Sequence, residues 1–242
     1  MHRQFPLAFE LLEARHLLSI TFGGHTLHVT GEQSLPNTIT VGLTPGGQSV
    51  VADLQFTNRQ GALVDQTKTY PLSDVHLLIV TGGNKSDTIT IDQTNGLFPV
   101  TDRIYLHNGN DTVTTGDEAD QIFCGNGYDV VNTGNGNDTL IGGHGVDTLF
   151  SGNGNDYIRG GVRGHSDIVT GSGDNILIDP FGHDTLMAGS GADVFIVKNI
   201  HLDPVNDYDP NKDKLKHYTP PVSSNGDSVG DDILNYLLDS LI

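Results

Sequence analysis

The sequence predicts an all-β chain wound as a parallel β-solenoid. Three observations carry this expectation. A nine-residue unit recurs along residues 106–196, an aliphatic side chain keeps one fixed phase within it, and 31 glycines stand against no tryptophan. Self-similarity at a fixed short period is the mark of a coil that stacks on copies of itself. A glycine-rich chain without tryptophan turns too often to build a conventional globular core.

At 242 residues the chain is long enough for one or two domains. Residues 1–18, MHRQFPLAFELLEARHLL, place Leu7, Leu11, Leu12 and Leu18 at helical spacing. Glu10, Glu13 and Arg15 break any apolar core of a secretory signal peptide. Leu12–Ser19, LEARHLLS, resembles the LEPRxLLS-type N-terminal motif of bacterial surface and secreted proteins, with Ala14 where that family has proline. A short amphipathic helix capping the solenoid is the other reading of this segment.

Residues 19–105 alternate apolar and polar residues in short runs such as Thr26–Thr30, Thr38–Leu43, His76–Thr81 and Thr88–Asp92. Clusters of Gly, Pro, Asn and Asp separate the runs, which is strand-and-turn punctuation. Gly82–Thr90, GGNKSDTIT, reads as a decayed copy of the later repeat. The region is expected to form irregular coils continuous with the repeats; a separate small β-sandwich is the alternative.

From 106 onward the blocks align on aspartate. Asp111, Asp120, Asp129, Asp138, Asp147 and Asp156 recur every nine residues, each followed two positions on by Val113, Ile122, Val131, Leu140, Leu149 or Ile158. A ten-residue block, GGVRGHSDIV, then contributes Asp167 after an insertion, Asn175 replaces the next aspartate, and Asp184 and Asp193 restore the pattern. Residues 197–242 form the last segment. VNDYDPNKDKL (Val205–Leu215) resembles the element that closes such arrays, and Asp231–Ile242 is expected to be a short amphipathic helix, a cap or part of a C-terminal export signal. The expected architecture is therefore a parallel β-roll with irregular N-terminal coils and short terminal helices.

The blocks match G-G-x-G-x-D-x-U-x, where U is aliphatic, and so resemble the hemolysin-type repeats-in-toxin (RTX) family, a motif already tied to Ca²⁺. The resemblance implies two nonapeptides per coil, with Ca²⁺ ions between turns of neighbouring coils. It also implies weak, cooperative binding in the extracellular calcium range and a secreted bacterial protein that folds after export. The residues supply the chemistry. Glycines at the second and fourth positions, Gly125/Gly127, Gly134/Gly136, Gly143/Gly145, Gly152/Gly154 and Gly189/Gly191, free the backbone to aim carbonyl oxygens. Aspartates Asp111, Asp120, Asp129, Asp138, Asp147, Asp156, Asp167, Asp184 and Asp193 add carboxylates. An all-oxygen, flexible set suits Ca²⁺ better than Mg²⁺, and zinc would want His or Cys in register.

Two repeats per coil would stack Asp120, Asp138 and Asp156 along one edge and Asp111, Asp129 and Asp147 along the other. Carboxylates at a strand spacing of about 5 Å repel by roughly 3 kcal/mol at an effective dielectric of 20. Several such pairs exceed a typical domain stability of about 5–15 kcal/mol, so several structural Ca²⁺ ions are expected to supply the folding free energy.

Charge narrows the partners. The formal net charge is −18, from 30 acids against 12 Lys plus Arg, and only four of the acids are glutamate. That disfavours nucleic acid and anionic membrane as partners. Cys124 is the only cysteine, so no internal disulfide forms. No run approaches the length of a membrane span. There is no H-E-x-x-H, no G-x-S-x-G and no phosphate loop, and Arg159 and Arg163 are the only basic residues within the repeats, so no catalysis is expected. Three readings stand: a structural or adhesive extracellular module whose partner is a polysaccharide or cell-surface protein; a non-catalytic remnant or C-terminal-type domain of an RTX enzyme or toxin; and an ice-binding solenoid. The third would need outward ladders of threonine and asparagine on one flat face, whereas the third repeat position carries Asn126, Asn135, His144, Asn153, Ser172 and Ser190, without a threonine rank.

Overall fold

In a computed structural model, residues 19–161, 165–181, 183–198 and 204–217 are described. The LEARHLLS motif, apart from Ser19, and the expected helix at Asp231–Ile242 lie outside them.

Two ten-stranded sheets face each other across one apolar core. The first runs β1 (Ser19–Gly23), β2 (Thr26–Thr30), β6 (Leu77–Thr81), β8 (Thr101–Tyr105), β10 (Gln121–Gly127), β12 (Thr139–Gly145), β14 (Tyr157–Gly161), β16 (Ile176–Asp179), β18 (Val194–Val197), β20 (Lys214–His217). The second runs β5 (Leu63–Pro71), β4 (Ser49–Thr57), β3 (Asn37–Leu43), β7 (Thr88–Asp92), β9 (Thr112–Thr114), β11 (Val130–Asn132), β13 (Thr148–Gly152), β15 (Asp167–Thr170), β17 (Thr185–Met187), β19 (Val205–Asn206). From β6 and β7 onward the chain alternates between the sheets and every neighbour is parallel, so two nonapeptides close one coil.

The aliphatic of each repeat builds the core. Ile104, Ile122, Leu140, Ile158, Leu177 and Phe195 stack in register in the first sheet; Ile89, Val113, Val131, Leu149, Ile168 and Leu186 do so in the second. All twelve are buried. Alternation along a strand sends their neighbours outward, and full burial of each is worth about 1.5–3 kcal/mol.

Residues 19–105 feed the same two sheets and the same core. They differ in hand of pairing: β1–β2 is antiparallel, as are β3–β4 and β4–β5. These antiparallel strands lie at one end of the solenoid, where a parallel coil would otherwise expose unpaired backbone. At the other end β19 and β20, drawn from Val205–Leu215 and the two residues after it, pair with β17 and β18.

Candidate metal centre

Each coil turns on a glycine-rich loop, and stacking dictates the glycines. Gly134 has φ +86° and Gly136 φ +138°, backbone that side chains rarely adopt. Close approach is the stronger constraint: a Cβ on Gly127 or Gly154 would fall 1.5 Å from the carbonyl oxygen of Gly109 or Gly136 in the preceding coil. Gly191 lacks the left-handed φ of its counterparts but is held by the same approach, 1.9 Å to the Gly173 oxygen.

The sixth position turns inward. In one row the backbone N–H of Asp102 donates to Oδ1 of Asp120 (3.0 Å), Asp120 to Asp138 (2.9 Å), and Asp138 to Asp156 (3.0 Å). The row continues through Asn175 and Asp193 to Asp213. In the other, Asp87 donates to Asp111 (2.7 Å), Asp111 to Asp129 (2.8 Å), and Asp129 to Asp147 (3.1 Å). The coil-to-coil step is therefore a hydrogen bond from one slot to the side chain of the next.

Asp167 is not in this row. Asp147 N–H donates to the Ser166 hydroxyl (3.2 Å), and Ser166 N–H donates to Asp184 Oδ1 (2.8 Å), so Ser166 occupies the slot. Asp167 lies one residue later, exposed on β15 between Thr148 and Thr185. The physical reason is the strand alternation: Ile168 must enter the core, and the slot lies two residues before the aliphatic. That interval, legible in the sequence, outweighs the identity of the nearest acid.

Asp102 and Asp213 were missed because no glycine-rich turn precedes them. Ile104 and Leu215, two positions on, and the eighteen-residue step from Asp102 to Asp120 were the available signals. Asp87 also fills a slot, but protein donors surround it: Asn37 N–H and Nδ2–H reach Oδ1 at 2.7 Å each, and Gly83 N–H reaches Oδ2.

The repeat aspartates are less complete. Oδ2 of Asp111, Asp129 and Asp147 is buried with no hydrogen-bond partner, as is Oδ1 of Asp102, while the hydroxyls of Thr115 and Thr133 lie beside the carboxyls of Asp120 and Asp138. An unpaired buried oxygen costs about 1–3 kcal/mol. Burial first, then neighbouring carboxylates, raises Asp111, Asp138 and Asp147 to about 7; burial raises Asp120 and Asp129 to about 6. Asp102 is pushed well up by burial and by Asp120. Asp156 rises too, opposed in part by Ser151, whose hydroxyl donates to Oδ2 at 2.6 Å. Asn175 shows the neutral solution: its Oδ1 accepts from Asp156, while Nδ2 donates to the carbonyls of Gly173 (3.0 Å) and Ala188 (3.2 Å).

Rows of buried carboxyls, several of them with an unmet oxygen, fit a cation. Among the described residues no three His, Cys, Asp or Glu side chains gather as a self-sufficient metal cluster. A cation held here would draw on turn carbonyls as well. These have capacity: His107 O accepts from Asn126 N–H (2.7 Å) and Asn126 O from Gly109 N–H (2.9 Å), each using one of two lone pairs. Cys124 supplies no thiolate, since burial and the nearby Asp129, Asp147 and Asp111 raise its pKa well above the ordinary value.

The turns carry a further stitching that the sequence reading overlooked. Asn126 Nδ2 donates to Asn108 Oδ1 (2.8 Å) and Asn153 to Asn135 (2.9 Å) at the third position. At the fifth, Asn110 Oδ1 accepts from Tyr128 N–H (3.1 Å) and Asn137 Oδ1 from Asn155 N–H (2.8 Å). Asn recurring at these positions was the signal.

Fold and site together define a calcium-binding parallel β-roll. The family model described as RTX calcium-binding nonapeptide repeat (4 copies) matches residues 101–131, 125–158 and 160–195, so this stretch consists of hemolysin-type RTX repeats. No curated protein and no solved structure matches the chain. Among the described residues no helix is long and apolar enough to cross a membrane.

Proposed function

We propose that the chain is an extracellular, non-catalytic module in which several Ca²⁺ ions, held between neighbouring turns by the aspartates of the two rows and the carbonyls beside them, lock the roll. The locked roll then offers its sheet faces in adhesion or matrix assembly, to a polysaccharide or a cell-surface protein. The supporting observation is the run of aspartates within the two rows, Asp111, Asp129 and Asp147 among them, whose second oxygens are buried without a donor. Bound Ca²⁺ supplies positive charge where carboxylates stack; this chain supplies oxygen ligands and the coil spacing. Low calcium before export and high calcium outside would couple folding to location.

Circular dichroism titrated with calcium and reversed with EDTA tests the structural role. Millimolar calcium is expected to build β-structure that chelation removes; a spectrum indifferent to both would refute it. A glycan array and a cell-surface pull-down, run with and without calcium, test the adhesive role.

A further inference from the structure

The outer face of the second sheet carries a threonine grid. Thr38, Thr88 and Thr112 stand in register on β3, β7 and β9, and Thr40, Thr90 and Thr114 form a second rank beside them. Each pair flanks a buried core residue, Ile39, Ile89 or Val113, so all six side chains point away from the core. Thr38, Thr88, Thr112 and Thr114 are exposed; Thr40 and Thr90 are half-buried. The two ranks continue as Val130/Asn132 on β11 and Thr148/Phe150 on β13. No charge interrupts them from β3 to β13, in a chain of net charge −18. Asp53 on β4 and Asp167 on β15 bound the strip, and Asp92, two residues beyond Thr90 on β7, flanks it along the strand.

Parallel strands fix the spacing of the grid, about 4.8 Å between strands and about 6.7 Å along each strand. Threonine is stiff at χ1, so its methyl and hydroxyl are set by the backbone and lose little freedom on contact. A neutral, stiff array of this kind, held in register from strand to strand, suits a partner that is itself periodic. Its two spacings lie within an ångström of oxygen repeats on a prism face of hexagonal ice. A sugar site would need aromatic platforms or directed amides and charges; none of the six threonines supplies one, and Asn132 and Phe150 stand only at the far end of the second rank. We propose that this strip is an ice-binding face, in which the threonine methyls and hydroxyls order water into the lattice of the crystal. The turns, where the third position lacks threonine, play no part in it.

Slow growth of ice from a solution of the full chain in calcium tests this. The wild type is expected to enter the ice several-fold over a non-binding tracer protein. Thr88→Tyr should reduce it to the tracer level, while Thr139→Tyr, on the outer face of the opposite sheet, should leave it unchanged; dichroism in calcium checks that both variants fold. Should Thr88→Tyr misfold, Thr112→Ser, which removes one methyl, is expected to lower the enrichment. Wild type at the tracer level, or enrichment that survives the grid substitution, overturns the proposal. Grid-dependent binding to an insoluble neutral polysaccharide without ice enrichment overturns it in favour of a sugar-binding face.

Discussion

The backbone N–H of Asp111 donates to Oδ1 of Asp129 across 2.8 Å, and Oδ2 of the same carboxylate is left buried with no donor. One oxygen stitches two coils; the other has no partner in the protein. Asn175 occupies the equivalent slot with an amide that keeps the stitch and satisfies itself. Asp129→Asn is therefore expected to stabilise the calcium-free roll by about 1–3 kcal/mol, the cost of an unmet buried polar group. It should at the same time weaken calcium binding. Denaturant unfolding in EDTA and a calcium titration check the two halves, and they should move in opposite directions.

The same carboxyls set a pH dependence. With folded pKa values raised to about 6 to 7 from 3.8, these groups hold their protons more tightly when folded. A raised folded pKa contributes stability below the unfolded value that is lost as pH rises through the folded value. In EDTA, β-structure should therefore be greatest in mild acid and fall between pH 4 and about 7. In calcium the trend should reverse, because protons and the ion compete for the same oxygens. Far-ultraviolet dichroism across that range, with and without calcium, reads both slopes.

How much of this was legible follows from the register. The aspartate and aliphatic ladders from Asp111 to Asp156 hold a strict period, and the sheets keep it, with Ile122 on Leu140 and Leu140 on Ile158. Asp167 was misplaced because chemical identity was followed across an insertion where the aliphatic phase should have been. The threonine grid was hidden for another reason. Its slots step 50 residues from Asn37 to Asp87 and 24 from Asp87 to Asp111, because β4, β5 and longer connections intervene. Alternation marks TIT and TVT as outward pairs, but only the pairing of β3 with β7 and of β7 with β9 brings them together.

That register gives a paired test. Asp167 is exposed and outside the row, so Asp167→Ala should change stability by no more than about 0.5 kcal/mol and leave the calcium midpoint unmoved. Ser166→Asp instead restores a carboxylate between Asp147 and Asp184. It should lower stability in EDTA and tighten calcium binding. A calcium response to Asp167→Ala, with none to Ser166→Asp, would return the slot to Asp167.

Asp87 and Asp138 separate structure from ion. The sequence ranks Asp138→Ala as the more damaging, since Asp87 sits in a decayed copy. The hydrogen bonds divide the two effects by kind. Asp87 accepts from Asn37 twice and from Gly83, so Asp87→Ala strands buried donors whether or not calcium is present. Its cost, about 1–3 kcal/mol for each unmet group, should appear equally in calcium and in EDTA. Asp138 gives one oxygen to Asp120 N–H, and beside its other, buried oxygen stands only the Thr133 hydroxyl. Asp138→Ala should therefore flatten the calcium dependence of melting while costing less in EDTA than Asp87→Ala. Thermal unfolding of both variants in the two buffers gives four midpoints. Equal calcium-induced shifts in the two variants would mean that the Asp138 slot holds no ion.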